Sequence, residues 1–227
     1  MLDQVSTIPL KDVPLFKDLS IRQLTSLTPY LKEKNFEKGE VLFFEGESCE
    51  RVLIVQSGRV KIFRTAASGK EQILEVLEKG DTCACNPAAK TWSCFASAQA
   101  LTPVKVWIIA RDQYVRMFQN DSTLMHKLSQ IFAHRMCHFC ELIEELSLDT
   151  PDRRLAKFIL DMVGNGKGTS GKDSISFTHE EISQRIGLVR ETVSRHLQKF
   201  KRLQLIDIKP QQIVVLNRDG LEQIIKE

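Results

Sequence analysis

The chain has 227 residues, is 42% hydrophobic and carries a formal net charge of +3 at pH 7. That length allows one large or two modest domains with a buried core in each. No stretch approaches the roughly 20 apolar residues that span a bilayer, and the opening MLDQVSTIPLKDV lacks a basic start followed by an apolar run. Membrane insertion and secretion are therefore not expected. The cytoplasm is the expected compartment, where cysteines stay reduced and serve as sensors, ligands or inert core.

Up to about Ala110 the pattern is strand-rich, with alternation such as Val60 to Phe63 and turns marked by Gly39, Gly46, Gly58, Gly69 and Gly80. A compact β-sandwich or roll is predicted. Within it, GDTCACNPAAKTWSCFASAQA holds Cys83, Cys85 and Cys94, half of the six cysteines. A C-x-C pair is too close in sequence for ordinary core spacing in a loop, so a sensing role is expected here. Asn86 and Pro87 would stiffen the turn. Three chemistries remain open: thiolates holding a soft metal, a metalloid or an iron–sulfur cluster, thiols that are oxidised, sulfurated or alkylated, or small core hydrophobes. Isolated Cys49 reads as core.

From Asp121 to Leu148 there is neither Gly nor Pro, and Phe132, Met136, Phe139, Ile143 and Leu146 recur at spacings of four, three, four and three. Such a seam predicts a long helix pairing with its copy in a homodimer, the alternative being a core helix of a monomer. Cys137 and Cys140 lie one turn apart beside the seam. As a C-x-x-C on a helix face they need partners from elsewhere to bind anything, and the neighbouring His134 and His138 read as solvated. Asp149, Thr150 and Pro151 end the helix as a hinge. A further helix over 152–162 and a flexible linker, GNGKGTSGKD, follow.

Between Phe177 and Phe200 the chain reads as a helix-turn-helix. Thr178 with Glu181 forms a capping box, Ile182 and Ile186 give one apolar stripe, Gly187 the turn, and Val193, Leu197 and Phe200 the buried face of the next helix. Arg190, Glu191, Thr192, Ser194, Arg195 and Gln198 form its polar side. Arg donates two hydrogen bonds to guanine and Glu accepts one from cytosine, so these side chains suit base edges. Arg190 to Lys209 holds six basic and two acidic residues, a net +4 against +3 for the whole chain. Concentrated positive charge, Lys199 included, is what phosphate contact requires. Leu205–Ile208 and Ile213–Leu216 around a turn-like spacer read as a β-hairpin wing.

GLVRETVSRHLQKFKRLQLI, with VLFFEGESCERVLIVQSGRVKIF and SGKEQILEVLEKGD, resembles the cyclic-AMP receptor protein and FNR (Crp/Fnr) family of bacterial transcription regulators. The resemblance implies an α+β chain: a cyclic-nucleotide-binding-like β-roll over 1–118, a long dimerisation helix and hinge over 119–149, and a winged helix-turn-helix over 150–227. It implies double-stranded DNA, a second copy and RNA polymerase as partners. Arg190, Glu191 and Arg195 match the family set that reads TGTGA, while Glu191, Ser194 and Arg195 match the set that reads TTGAT. A palindrome of two TGA half-sites bound by a symmetric dimer is therefore expected.

The family's cyclic-nucleotide cassette carries a Glu for the ribose and an Arg with a small hydroxyl residue for the phosphate. Here Trp92 falls at the Arg position and Asp81 near the Glu, so cyclic AMP is not expected as the effector. In the family, the helix before the hinge floors the effector pocket. Cys140 stands at about that depth, and a site closed by Cys83, Cys85, Cys94 and Cys140 is the candidate for a metal, metalloid or cluster. FNR's cluster cysteines near the N-terminus have no counterpart before Cys49. Haem or another small molecule with structural cysteines is the alternative, and a ligand-binding module that never touches DNA is the alternative of another class. With no Cys–His–acid order, an enzyme is not expected.

Overall fold

The computed structural model describes residues 9–83, 92–119, 121–164, 174–210 and 212–226. They divide into two compact units, 1–64 with 73–138 and 65–72 with 139–227.

In the first unit α1 (Ile21–Leu27) starts at a Ser20–Gln23 capping box. Eight strands follow: β1 (Leu31–Phe36), β2 (Val41–Phe43), β3 (Arg51–Ser57), β4 (Val60–Thr65), β5 (Glu71–Leu77), β6 (Thr82–Cys83), β7 (Ser97–Ala100) and β8 (Val104–Ala110). They form two four-stranded sheets, ordered β1-β8-β3-β6 and β2-β7-β4-β5. Both sheets contribute to one core, with Phe36, Leu53, Val55 and Val106 meeting Leu42, Ile62, Leu77 and Ala98. That is the β-roll the alternation predicts.

Gly58 shows why a glycine punctuates this sheet. It adopts φ +86°, and a Cβ there would collide with the Pro103 carbonyl, so both the backbone conformation and the space demand its absence.

Helix α2 (Arg111–Gln119) and then α3 (Ser122–Leu148) follow, residues 139–148 of α3 belonging to the second unit. Leu124 and Leu128 of α3 bury against Trp107, Ile109, Leu10 and Phe16. The Asp121 carboxylate accepts the Thr123 and Leu124 amides at 2.9 and 3.2 Å, anchoring the helix start.

The second unit contains α4 (Pro151–Gly164), β9 (Ser174–Ile175), α5 (His179–Ile186), α6 (Arg190–Arg202), β10 (Ile206–Lys209), β11 (Gln212–Val215) and α7 (Arg218–Lys226). Helix α4 begins one residue before the predicted start. Proline at the first helical position loses no hydrogen bond, and the Thr150 hydroxyl accepts the Arg153 amide. The wing is an antiparallel β10–β11 hairpin extended by β9. Leu155, Ile159, Ile182, Val193, Leu197, Phe200 and Leu221 form the fully buried centre of this unit. Among the described residues no helix is long and apolar enough to cross a membrane.

Candidate nucleic-acid interface and thiol pocket

Helix α5 is capped as its sequence requires: the Thr178 hydroxyl accepts the Glu181 amide at 3.1 Å, and the Glu181 carboxylate accepts the Thr178 amide at 2.8 Å. Gly187 ends it in the left-handed region at φ +68°. A Cβ at that position would collide with Leu146, so the tight turn into α6 depends on glycine. Arg154 reinforces the same corner, donating to the carbonyls of Asp149 and Ile186 at 3.1 and 3.2 Å.

Val193, Leu197 and Phe200 are wholly buried. At 100° per residue this sends Glu191, Arg195, Gln198 and Lys199 outward, while Arg190, seven positions before Leu197, falls on the azimuth of the buried face and is exposed because it begins the helix; Thr192 and Ser194 are half-buried between the two faces. Glu191 and Arg195 thus share one accessible face of a helix whose other face is core. Lys199 is tethered: its Nζ lies 2.5 Å from Asp152 Oδ2, while Asp152 Oδ1 is 2.5 Å from His196 Nδ1. Burial acts to raise the Asp152 pKa, but the hydrogen bonds from Lys199 and His196 outweigh it and hold the carboxyl below its usual range. This clamp between α4 and α6 escapes sequence inspection because its members stand 44 and 47 residues apart.

In the first unit, Cys83 and Cys94 line one cavity of about 30 Å³, with Cys49, Phe43, Ile62, Glu75, Leu77, Phe95, Ala96 and Arg135 completing its walls. Cys49 is the unexpected member. An isolated bridge, Ser48 to Ser93, lays its segment antiparallel to that of Cys94. Cys49 donates its amide to the Trp92 carbonyl at 2.9 Å, and Cys94 donates to Glu47 at 2.8 Å. The Cys49 and Cys94 side chains line the same cavity. Cys49 is buried, as expected of a core residue, but its position at the cavity was not foreseen.

Cys83 enters from β6, opposite Leu53 of β3. Burial pushes its thiol up to about 12 despite the nearby Arg135 guanidinium. Burial likewise pushes Cys94 up to about 11, with Cys49 adding to the effect. Both are therefore neutral thiols at physiological pH. Arg135, reaching in from α3, pairs with Glu75 at 3.1 Å and donates to the Thr82 carbonyl next to Cys83.

On the other side of Arg135 and Glu75 lies a wider cleft of about 490 Å³ lined by Lys17, Asp81, Thr82, Lys127 and His134 among others. Asp81 spends one carboxylate oxygen on the Glu78 amide at 2.7 Å. Trp92 is 5% exposed, packed edge-on against Tyr114 and beneath the Arg111 guanidinium at 4.9 Å. Trp92, the residue that the family resemblance puts in place of a phosphate-binding arginine, is thus a core indole.

Cys85 lies outside the described residues. Cys137 and Cys140 are exposed on α3; Cys137 belongs to the first unit and Cys140 to the second. Among the described residues no group of three or more His, Cys, Asp or Glu is arranged to hold a metal ion. Of the seam residues, Met136 and Ile143 are each 64% exposed, and Phe132, Phe139 and Leu146 are half-buried.

Residues 33–121 match the cyclic nucleotide-binding domain family, and residues 153–224 match the Crp-like helix-turn-helix domain. The cyclic AMP receptor protein of Thermus thermophilus is 25% identical over 215 residues, covering 95% of this chain and 98% of its own. A solved Crp/Fnr-family structure from Eubacterium rectale superposes with TM-score 0.76 at 23% identity, over 94% of this chain and 98% of that one. The chain belongs to the Crp/Fnr family of transcription regulators. This Crp/Fnr protein is accordingly a DNA-binding regulator and not an enzyme. Its fold is also that of the c-di-GMP-responsive regulator CLP of Xanthomonas campestris, with TM-score 0.77 at 14% identity over 86% of this chain and 99% of that one. Proteins named for different nucleotides share this architecture, so the fold by itself names no effector.

Proposed function

We propose that this Crp/Fnr regulator binds, as a symmetric homodimer, a palindrome of two TGA half-sites, and that chemistry at its cysteines, not cyclic AMP, governs its affinity for that DNA. The observation that carries the control reading is the convergence of Cys83 and Cys94 on one small apolar cavity. Effector pockets for small organic molecules measure roughly 300–1,000 Å³. A cavity of about 30 Å³ suits chemistry on the thiols themselves. Trp92 in the core supports the exclusion of cyclic AMP, since a buried indole offers the phosphate no bidentate cation.

The dimer reading rests on the exposed Met136 and Ile143, which fall on the predicted seam. The TGA reading rests on the shared outward face of Glu191 and Arg195. A second effector reading has its own support: the polar cleft with Lys17, Lys127, His134 and Arg135 in its walls suits a small anion.

Fluorescence anisotropy on a TGA palindrome, with the protein reduced, oxidised and metal-treated, tests the proposal. Arg195→Ala is expected to erase discrimination between TGA and altered half-sites, a loss of about 1–3 kcal/mol for each good base contact. Retained discrimination in that variant would reject the half-site assignment. Affinity indifferent to every thiol treatment would reject thiol control and favour the anionic cleft.

A further inference from the structure

We propose that Cys49, Cys83 and Cys94 form a binding site for a trivalent metalloid, taken up as its neutral hydroxy acid. The inference deepens the thiol-control reading and rests on it for its regulatory meaning, but it moves the site away from Cys85 and Cys140 and commits to one ligand class.

The choice follows from charge and size. Walls of Phe43, Ile62, Leu77, Phe95 and Ala96 penalise any net charge left among them. A divalent metal held by three thiolates leaves a net negative charge, and Arg135, the cation among the described lining residues, is already paired with Glu75. An arsenous-type acid avoids the problem. In As(OH)3 + 3 RSH → As(SR)3 + 3 H2O, each S–H and each As–O bond is exchanged for an As–S and an O–H bond. Each thiol proton leaves in water, arsenic stays trivalent, and no charge is created. The product is a single-atom centre, and a cavity of about 30 Å³ has room for little more than a water or two.

The geometry supplies an order of assembly. Cys49 and Cys94 flank the Ser48–Ser93 bridge and line the same cavity, so they take the first two bonds. The three sulfurs are not yet grouped as ligands, so the third bond draws Cys83 inward on the short strand β6. The carbonyl of Thr82, immediately before Cys83, accepts from Arg135 on α3. Closure of the site therefore pulls directly on the long helix.

The test uses the full-length reduced protein and sodium arsenite. After desalting, arsenic content and intact mass are expected to show one arsenic per chain, with a mass gain of one arsenic less three hydrogens. Cys49→Ser, Cys83→Ser and Cys94→Ser are each expected to lose this species, and the corresponding Ala variants, checked for native circular dichroism, guard against misfolding. A Cys137→Ser/Cys140→Ser double variant is expected to retain it. Retention in Cys49→Ala, or loss in the double variant, overturns the site. Anisotropy on the TGA palindrome separates the two claims. Arsenic bound through the three cysteines with DNA affinity unchanged leaves the site standing and defeats thiol control. No arsenic retained, while oxidation or Cys85→Ser shifts DNA affinity, defeats the site and leaves thiol control standing.

Discussion

Cys83 and Cys94 differ from Cys137 and Cys140 in burial, which decides whether a reagent can reach the sulfur. Burial holds Cys83 up at about 12 and Cys94 at about 11, whereas Cys137 and Cys140 are exposed on a helix flank. At pH 8 a thiol near 12 is thiolate in only about one molecule in ten thousand, against roughly a quarter for an ordinary cysteine. Exposed Cys137 and Cys140 are expected to be labelled by iodoacetamide in the native protein much faster than Cys83, which burial shields and keeps protonated, as read by peptide mass spectrometry. Equal labelling would show that the pocket is open. The linked stability follows the same sign. The folded state holds these protons more tightly than the unfolded chain, so their contribution is complete below the ordinary thiol pKa and is lost as pH rises toward 11–12. Residue chemistry of this kind was only half legible: C-x-C flagged the loop, but no local pattern joined Cys49 to Cys94 across 45 positions of chain. Their juxtaposition depends on the bridge between Ser48 and Ser93.

Helix α6 illustrates what an element inherits from its own sequence and what it receives from neighbours. Its buried and exposed faces follow from the three- and four-residue spacing of Val193, Leu197 and Phe200. Its orientation depends on the Gly187 corner and on Asp152 of α4, which grips both His196 and Lys199. Asp152→Asn is expected to destabilise this unit by about 1 kcal/mol at neutral pH, a modest figure because Lys199 is half exposed to screening solvent. Asp152 is depressed in the folded state, so its contribution is present above the usual carboxylate range and disappears as pH falls through the lowered value. Urea unfolding of the two proteins is expected to differ at pH 7 and to converge as pH falls below the lowered Asp152 value. A difference that persists in acid would assign the effect to packing instead. The same clamp tempers the reading of Lys199 as a phosphate contact, since that ammonium must exchange Asp152 for DNA.

For the whole molecule, the decisive feature is a 27-residue helix whose predicted seam still exposes large apolar side chains. Met136→Glu combined with Ile143→Glu places charge in that seam without touching a buried residue. The variant is expected to keep its circular dichroism spectrum, sediment as a monomer and bind the full palindrome at least about tenfold more weakly, because the second half-site then gains nothing from tethering. A variant that remains dimeric would move the interface elsewhere. Repeats of period two, repeats of period 3.6, glycine turns and capping boxes are local, so the β-roll, the long helix and the winged helix-turn-helix could be read from the amino-acid order alone. The outward pair Glu191 and Arg195 came with them, because one helical period fixes both faces at once; Arg190 is exposed as the first residue of the helix. The thiol cavity, the Arg135–Glu75 pair and the Asp152 clamp were decided only by tertiary packing. The approach of Cys49 to Cys94, the Arg135–Glu75 pair and the Asp152 clamp each join residues separated by 44 to 60 positions, and which distant side chains meet depends on how whole sheets and helices close on one another, a quantity no local spacing encodes.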